Sequence, residues 1–506
     1  MQLRMKMKQV LEYGMLSALA FVACILSGCA SYNSQTSALV SDWEAGNYIG
    51  AADKVEVSAA KHVDDEKNGL VWSLERGAIM RGAGKFNQSI DSLLVAEEFV
   101  QSAESAAKTQ VSDEAIALVT NLSQLPYNGY FYDRIMLNTY QALNYIVVGN
   151  LDASRVELNR ASQRQRDALG ENAKRIEKAE EEAKEVEGVQ LEDGSSYNVK
   201  AQKDEAFKSN FDAVYAKDDG VALYADYVNP FTVFIDGLFF LSNPYGQSDL
   251  ERARKSFQRV SQMAGSNQYL DADLDLANRA ATGAPVNNLT YVVLETGSAP
   301  YRKEIRIDIP VFLVSGDVPY VGAAFPRLVY NENYLSCLEV NVGDSVFQTE
   351  RICNMDSVVK TEFYNELPIV ITKTLVAAGT KALAAYAISE ASDGNIFVQI
   401  ATSAYQLAMN NADLRTWRSL PREFQYCRFS TPENGEITIR NSVSGESQSI
   451  SLETNNVNVV YVRATGSAAP MSVHQFTMRP SRDVARLTND ESIVSLATDV
   501  NLSACP

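Results

Sequence analysis

The sequence predicts an α+β protein of several domains, with helices first and strands later. Three observations carry that reading. Apolar residues recur at helical spacing from Trp43 to about residue 283. From Tyr291 onward, short β-branched and aromatic runs are separated by turn residues, and Glu304–Ile309 alternates at period two. Between the two regimes Gly283-Ala284-Pro285 marks a shift in composition, and the domain boundary is placed there, with 41–284 helical and 285–506 β-rich. The chain has 506 residues, 46% hydrophobic and 21% charged, which are globular proportions with enough material for large cores.

Residues 1–28 read as a leader. Arg4, Lys6 and Lys8 form a positive start with no acid before Glu12. The apolar run from Met15 to Leu26 has the length of a signal-peptide core and is too short for a ~20-residue bilayer span. It closes on Leu26-Ser27-Gly28-Cys29, which resembles the lipobox of bacterial lipoproteins. The resemblance implies cleavage before Cys29, a diacylglycerol on its thiol and acylation of the new amine. Ala30 and Ser31 follow, with no Asp, which by the same resemblance implies the outer membrane of a Gram-negative bacterium, at its periplasmic face. Residues 29–40 then read as a lipidated, flexible tether that reaches at most about 35 Å. Several acyl chains together anchor firmly. No later stretch offers 18 uncharged apolar residues, so no membrane-spanning helix is expected.

The helical region contains echoes of one unit. Gly46-Asn47-Tyr48 with Ala51 resembles part of a tetratricopeptide helix pair. So do Gly84-Lys85-Phe86 with Ser89, Leu93 and Ala96, then Gly149-Asn150-Leu151 with Ala153, and more loosely Ala253, Phe257 and Val260. Positions i, i+4 and i+7 share a helix face; small residues let neighbouring helices approach and a large one fills the gap. The Gly-Asn and Gly-Lys pairs mark the turns. Such units must stack to bury a face. An irregular helical domain without solenoid geometry is the plainer alternative.

From about 160 to 215 the sequence predicts a projecting helical arm. The run Glu171–Glu185 is rich in helix formers and in opposite charges four apart, such as Glu171 with Arg175 and Glu180 with Lys184. Its apolar stripe is thin: Leu169, Ile176 and Ala183. Asn229-Pro230-Phe231 starts a markedly apolar helix, with its partner from Asp249 to Met263.

Strands are expected at 291–295, 304–309, 424–429, 436–440, 448–452 and 457–463, with a hairpin around Gly343-Asp344. An inserted helix pair is expected over 357–412, broken at Asp393-Gly394-Asn395. With Cys24 leaving in the leader and Cys29 lipidated, Cys337, Cys353, Cys427 and Cys505 remain. In an oxidising compartment an even number reads as up to two disulfides, with Cys337–Cys353 and Cys427–Cys505 favoured among three connectivities; buried free thiols are the alternative.

Taken together, Gly46-Asn47-Tyr48, the tyrosine-rich stretch 127–145, Asn229-Pro230-Phe231 with Asp236-Gly237-Leu238, and Asp413–Pro421 resemble an uncharacterised family of bacterial tetratricopeptide-containing outer-membrane lipoproteins. That resemblance implies architecture and address, and assigns no chemistry.

Catalytic motifs are missing from the sequence: no Gly-x-Ser-x-Gly, no P-loop, no His-Glu-x-x-His. With no Cys-x-x-Cys, and His62 and His474 as the only histidines, neither a metal nor a cofactor is expected. A net charge of −18 argues against nucleic acid as a partner. The candidate binding residues are Tyr127, Tyr130 and Tyr132, and the group Arg415, Trp417 and Arg418. Tyrosines can line a ligand groove or pack with their hydroxyls at an edge. A Trp between two Arg can stack on a sugar, or sit in a core beside an Arg–Asp413 clamp. Two functions follow as expectations: a non-enzymatic scaffold for envelope proteins, built on the helical repeats, or a peptidoglycan- or polysaccharide-binding or -processing factor working through the C-terminal domain.

Overall fold

The computed structural model describes residues 32–62, 64–109, 125–187, 205–215, 221–224, 227–265, 267–310, 320–391 and 411–479. The expected leader, Cys29 and Cys505 lie outside them. Helices occupy the N-terminal part and strands the C-terminal part, as the sequence predicts.

Among the described residues the first six helices are α1 (Tyr32–Glu44), α2 (Tyr48–Ala59), α3 (Gly69–Gly82), α4 (Phe86–Thr109), α5 (Phe131–Val147) and α6 (Leu151–Glu187). They pack as pairs, α1 on α2, α3 on α4 and α5 on α6. Each pair turns on the expected glycine: Gly46, Gly84 and Gly149 have φ of 74°, 76° and 78°, where a side chain would be strained. The Asn47 side chain then accepts the Gly50 N–H and that of Asn150 the Ala153 N–H, which starts the second helix. Small residues set the close approaches. Gly77 of α3 faces Leu93 of α4, and the Ser89 hydroxyl donates to the Gly77 carbonyl at 2.6 Å.

Residues 32–40 correct one expectation. They are the first turns of α1, with Tyr32, Thr36, Leu39 and Val40 buried, so they are not a flexible tether. Their apolar positions fall at helical spacing and find α2 and α3 to pack on.

The arm is also corrected. Helix α6 does not project freely; it packs along α11 (Met355–Ala391). Its buried stripe is Ala161, Gln165, Ala168, Asn172 and Ala179, whereas Leu169 is 59% exposed. Asn172 donates to the Asn365 carbonyl, and Arg175 pairs with Glu366 at 3.2 Å. Further back on the same face, Gln165 accepts the Asn229 N–H and Ala168 packs with Phe131 and Tyr227, so small and amide side chains serve both close approaches. The returning helix α7 (Glu205–Tyr215) lies on a hairpin, where the Tyr215 hydroxyl donates to the Pro326 carbonyl.

Helices α8 (Pro230–Ser242), α9 (Gln247–Ala264) and α10 (Gln268–Ala281) complete the helical part. Asn229 caps α8 by accepting the Thr232 N–H, with Pro230 in the first turn. Every residue of α8 is buried, because helices pack on one side and the sheet on the other. Phe231 stacks on Phe424 at 3.7 Å between centroids.

The main sheet has five strands in the order β11 (Ser472–Thr477), β10 (Val457–Ala464), β1 (Leu289–Thr296), β7 (Glu423–Ser430), β6 (Glu350–Asn354). Strands β1 and β10 run parallel, and the remaining neighbours antiparallel. A four-stranded sheet, β5 (Ser345–Gln348), β4 (Glu339–Val342), β8 (Glu436–Arg440), β9 (Ser447–Ser451), contains the predicted hairpin at Gly343. The third sheet is the hairpin β2 (Tyr301–Pro310) with β3 (Tyr320–Val329). One hydrophobic cluster runs from Tyr32 to Met478, so the core is continuous across residue 284.

The first helix of the expected pair is α11, Met355–Ala391, which carries Pro368 inside it; the predicted break and second helix fall outside the described residues. The Cys337–Cys353 disulfide is not formed. Cys337 precedes β4 of one sheet, while Cys353 sits in β6 of another, its thiol facing Asn229 Oδ1 at 3.7 Å and Met355 Sδ at 4.0 Å. Cys427 is likewise a free, buried thiol, opposite Val292. Its favoured partner Cys505 lies outside the described residues.

Candidate functional site

The predicted binding residues do come together, at the junction of α5, the loop 411–422, β2 and α11. Burial decides what they do there. Tyr127, Tyr130 and Tyr132 are 5%, 7% and 3% exposed, Arg415 is 4% and Trp417 is 1%.

The junction starts from a helix end. The first N–H groups of α5 have no partner within the helix. Asp133 accepts the Tyr130 N–H at 2.9 Å and the Tyr127 hydroxyl at 2.5 Å. Glu362 of α11 accepts the Phe131 and Tyr132 N–H groups at 2.5 and 2.9 Å. Burial pushes the Asp133 carboxyl up to about 7 and that of Glu362 up to about 8, against the opposing pull of those hydrogen bonds. A space of about 10 Å³ beside Glu362, bounded by Tyr132, Tyr224, Asn229 and Thr361, is on the scale of one water molecule.

Arg302 of β2 lies 4.0 Å over the Tyr130 ring and pairs with Glu366 at 2.7 Å. Arg415 pairs with Asp413 at 2.6 Å and donates to the Lys67 carbonyl at 2.8 Å. Glu75 of α3 accepts three donors: the Tyr32 hydroxyl and the Arg418 and Ser419 N–H groups. The Trp417 ring meets Tyr140 edge to face at 5.7 Å, and its N–H donates to the Ser419 hydroxyl. The Arg–Asp clamp and the core Trp are therefore what the loop contains, and no stacking platform for a sugar is formed by Trp417.

A second buried cluster ties α10 to the sheet. Asp273 accepts the Tyr291 and Tyr426 hydroxyls at 2.7 and 2.8 Å and pairs with Arg428 at 2.6 Å.

Neither histidine joins these clusters. His62 stacks on Trp72 and contacts Asp65 at 2.8 Å. His474 is packed against the turn glycine Gly84 and the Phe86 ring; burial, then Arg81, pushes its imidazole down to about 4. Among the described residues no group of three or more His, Cys, Asp or Glu side chains is placed to hold a metal ion, and no helix is long and apolar enough to cross a membrane.

Sequence reasoning missed Glu75, Arg302, Glu362 and Glu366, which complete the junction. Only Asp133 had a local signal, three residues after Tyr130 at a helix start. The others are fixed by contacts across about 40 to more than 300 residues of chain. No protein-family model matches the chain, and neither a curated protein nor a solved structure is similar to it.

Proposed function

We propose that the protein is a lipoprotein of the Gram-negative cell envelope, anchored to the outer membrane through lipid on Cys29, and that it works as a non-enzymatic scaffold for other envelope proteins. The observation that carries the anchor is Leu26-Ser27-Gly28-Cys29 at the end of a short apolar run behind a positive start. Helix α1 begins only three residues after that Cys. The tether is then Ala30 and Ser31, and the body sits directly at the membrane.

The scaffold reading is supported by how the conspicuous polar and aromatic residues are used. Tyr127, Arg415, Trp417 and Asp273 are engaged in internal contacts, leaving outer surfaces as the working part. The α1/α2, α3/α4 and α5/α6 pairs, joined by Gly-Asn and Gly-Lys turns as tetratricopeptide units are, supply stacked surfaces of the kind that bind protein segments. Burial of Trp417 removes the residue on which glycan binding was to rest.

Metabolic labelling with a fatty-acid analogue tests the anchor. Label is expected on the wild type and lost in Cys29→Ser, which leaves the membrane fraction. Retention of Cys29→Ser in the membrane at high salt overturns the anchor. Crosslinking in intact cells should recover defined protein partners; selective retention on purified sacculi with no protein partner overturns the scaffold.

A further inference from the structure

The β2–β3 hairpin carries an unpaired cationic patch at its base. Lys303 and Arg327 are directly opposed in the register, so both side chains leave the same face. Both are exposed. Like charges directly opposed on a ladder are unfavourable. The flanking Arg302 and Arg306 are neutralised by Glu366 and Glu304, whereas Lys303 and Arg327 have no ion-pair partner among the described residues. Tyr301, two residues before Lys303 on that face, carries the Arg418 guanidinium 4.1 Å from its ring. Three cations thus gather in a chain of net charge −18.

The patch adjoins the start of α1. Asn33 donates from Nδ2 to the Arg302 carbonyl at 2.9 Å and accepts from Arg418 Nη1 at 3.4 Å. Asn33 is four residues beyond Cys29, so the Cys29 backbone is no more than about 14 Å of chain away from it.

We infer that Tyr301, Lys303, Arg327 and Arg418 form the surface that the anchored protein lays against anionic phospholipid headgroups. The inference rests on acylation of Cys29. An anionic surface relieves the Lys303–Arg327 opposition, which no ion pair among the described residues does. Each Lys or Arg near such a surface strengthens attachment roughly five-fold, less at high salt. Tyrosine with an apolar body and a polar tip suits the same interface. Lipid and patch together hold the body in one orientation, where lipid alone would leave it free to swivel.

The test uses the full, processed chain reconstituted into vesicles of phosphatidylcholine alone or mixed with phosphatidylglycerol. Amine labelling of Lys303 is followed by mass spectrometry, with Lys255 of α9, 68% exposed, as reference. Lys303 should label roughly five-fold more slowly on the anionic vesicles, with Lys255 unchanged, and high salt or Arg327→Gln should remove most of that difference. Equal Lys303 rates on both vesicles, with Cys29 acylated, overturn the patch and leave the anchor standing. An unmodified Cys29 in the intact mass, with no vesicle-bound protein, overturns the anchor itself.

Discussion

Glu362 caps a helix that lies 230 residues before it in the chain, its carboxylate holding the N–H groups of Phe131 and Tyr132. The two residues join the helical part to α11, which in turn packs on α6 and β3. Truncation by Glu362→Ala leaves two buried donors without partners. At about 1–3 kcal/mol for each unsatisfied group, a loss of roughly 2–6 kcal/mol is expected. Urea denaturation reads it as a lower midpoint with an unchanged slope; an unchanged midpoint contradicts the capping role.

The same carboxyl makes stability depend on pH. Its folded value, about 8, lies above its ordinary value of 4.5. The folded state therefore holds this proton after the unfolded chain has released it. The advantage of the folded state is full below pH 4.5 and declines as pH rises towards 8. Other groups slope the other way, since Glu366 is held below its usual range by Arg302 and Arg175 despite its burial. The comparison with Glu362→Gln isolates the term: wild type should lose stability relative to that variant between pH 5 and 8. Parallel profiles would mean that Glu362 is ionised throughout.

Trp417 tests packing against recognition. Trp417→Ala should cost about 3–5 kcal/mol, the range for removing a large buried aromatic. Trp417→Phe keeps most of the contact with Tyr140 and should fold, with a modest drop in melting temperature. If Trp417→Ala folds with wild-type stability, the ring is not a core element.

Gly84 shows how the helical part meets the sheet. Its φ of +76° and the His474 ring, 2.9 Å from where a Cβ would stand, both exclude a side chain. Gly84→Ala should destabilise by about 1–2 kcal/mol from backbone handedness alone, with the His474 contact adding to it. Thermal unfolding measures this, and Gly170→Ala, where nothing lies within 4 Å, is the control.

The thiols give a chemical test. Cys353 and Cys427 are buried, and burial pushes the Cys353 thiol up to about 12 and that of Cys427 higher still. Cys337 is half-buried. Alkylation of the native protein should modify Cys337 first and spare the other two until denaturation. A Cys337–Cys353 crosslinked peptide under non-reducing conditions would contradict the fold.

Local physics made much of this architecture readable from the sequence. Gly46, Gly84 and Gly149 had to turn the chain, because Gly tolerates positive φ and a helix has just ended. Asn229-Pro230 had to start a helix. Strands β7 to β10 follow β-branched and aromatic content within single segments bounded by turn residues, and their bounds match to within a residue or two. The hairpin partner β3 had no such signal and was not expected.

The sequence by itself determined element types and turns, since these depend on neighbours a few positions apart. Tertiary structure alone decided the rest. The buried stripe of α6 is Ala161, Gln165, Ala168 and Asn172, and not Leu169, because that face meets Asn229, Phe131 and Tyr227 as well as α11, where close approach rewards small and amide side chains over a large apolar one. Trp417 and Arg415 are interior because α3, α5 and the 411–422 loop converge on them. Cys353 is a lone thiol because pairing with β7 carries it away from Cys337. A residue type announces what it can do; whether water, a ligand or another side chain meets it is set by partners hundreds of residues distant.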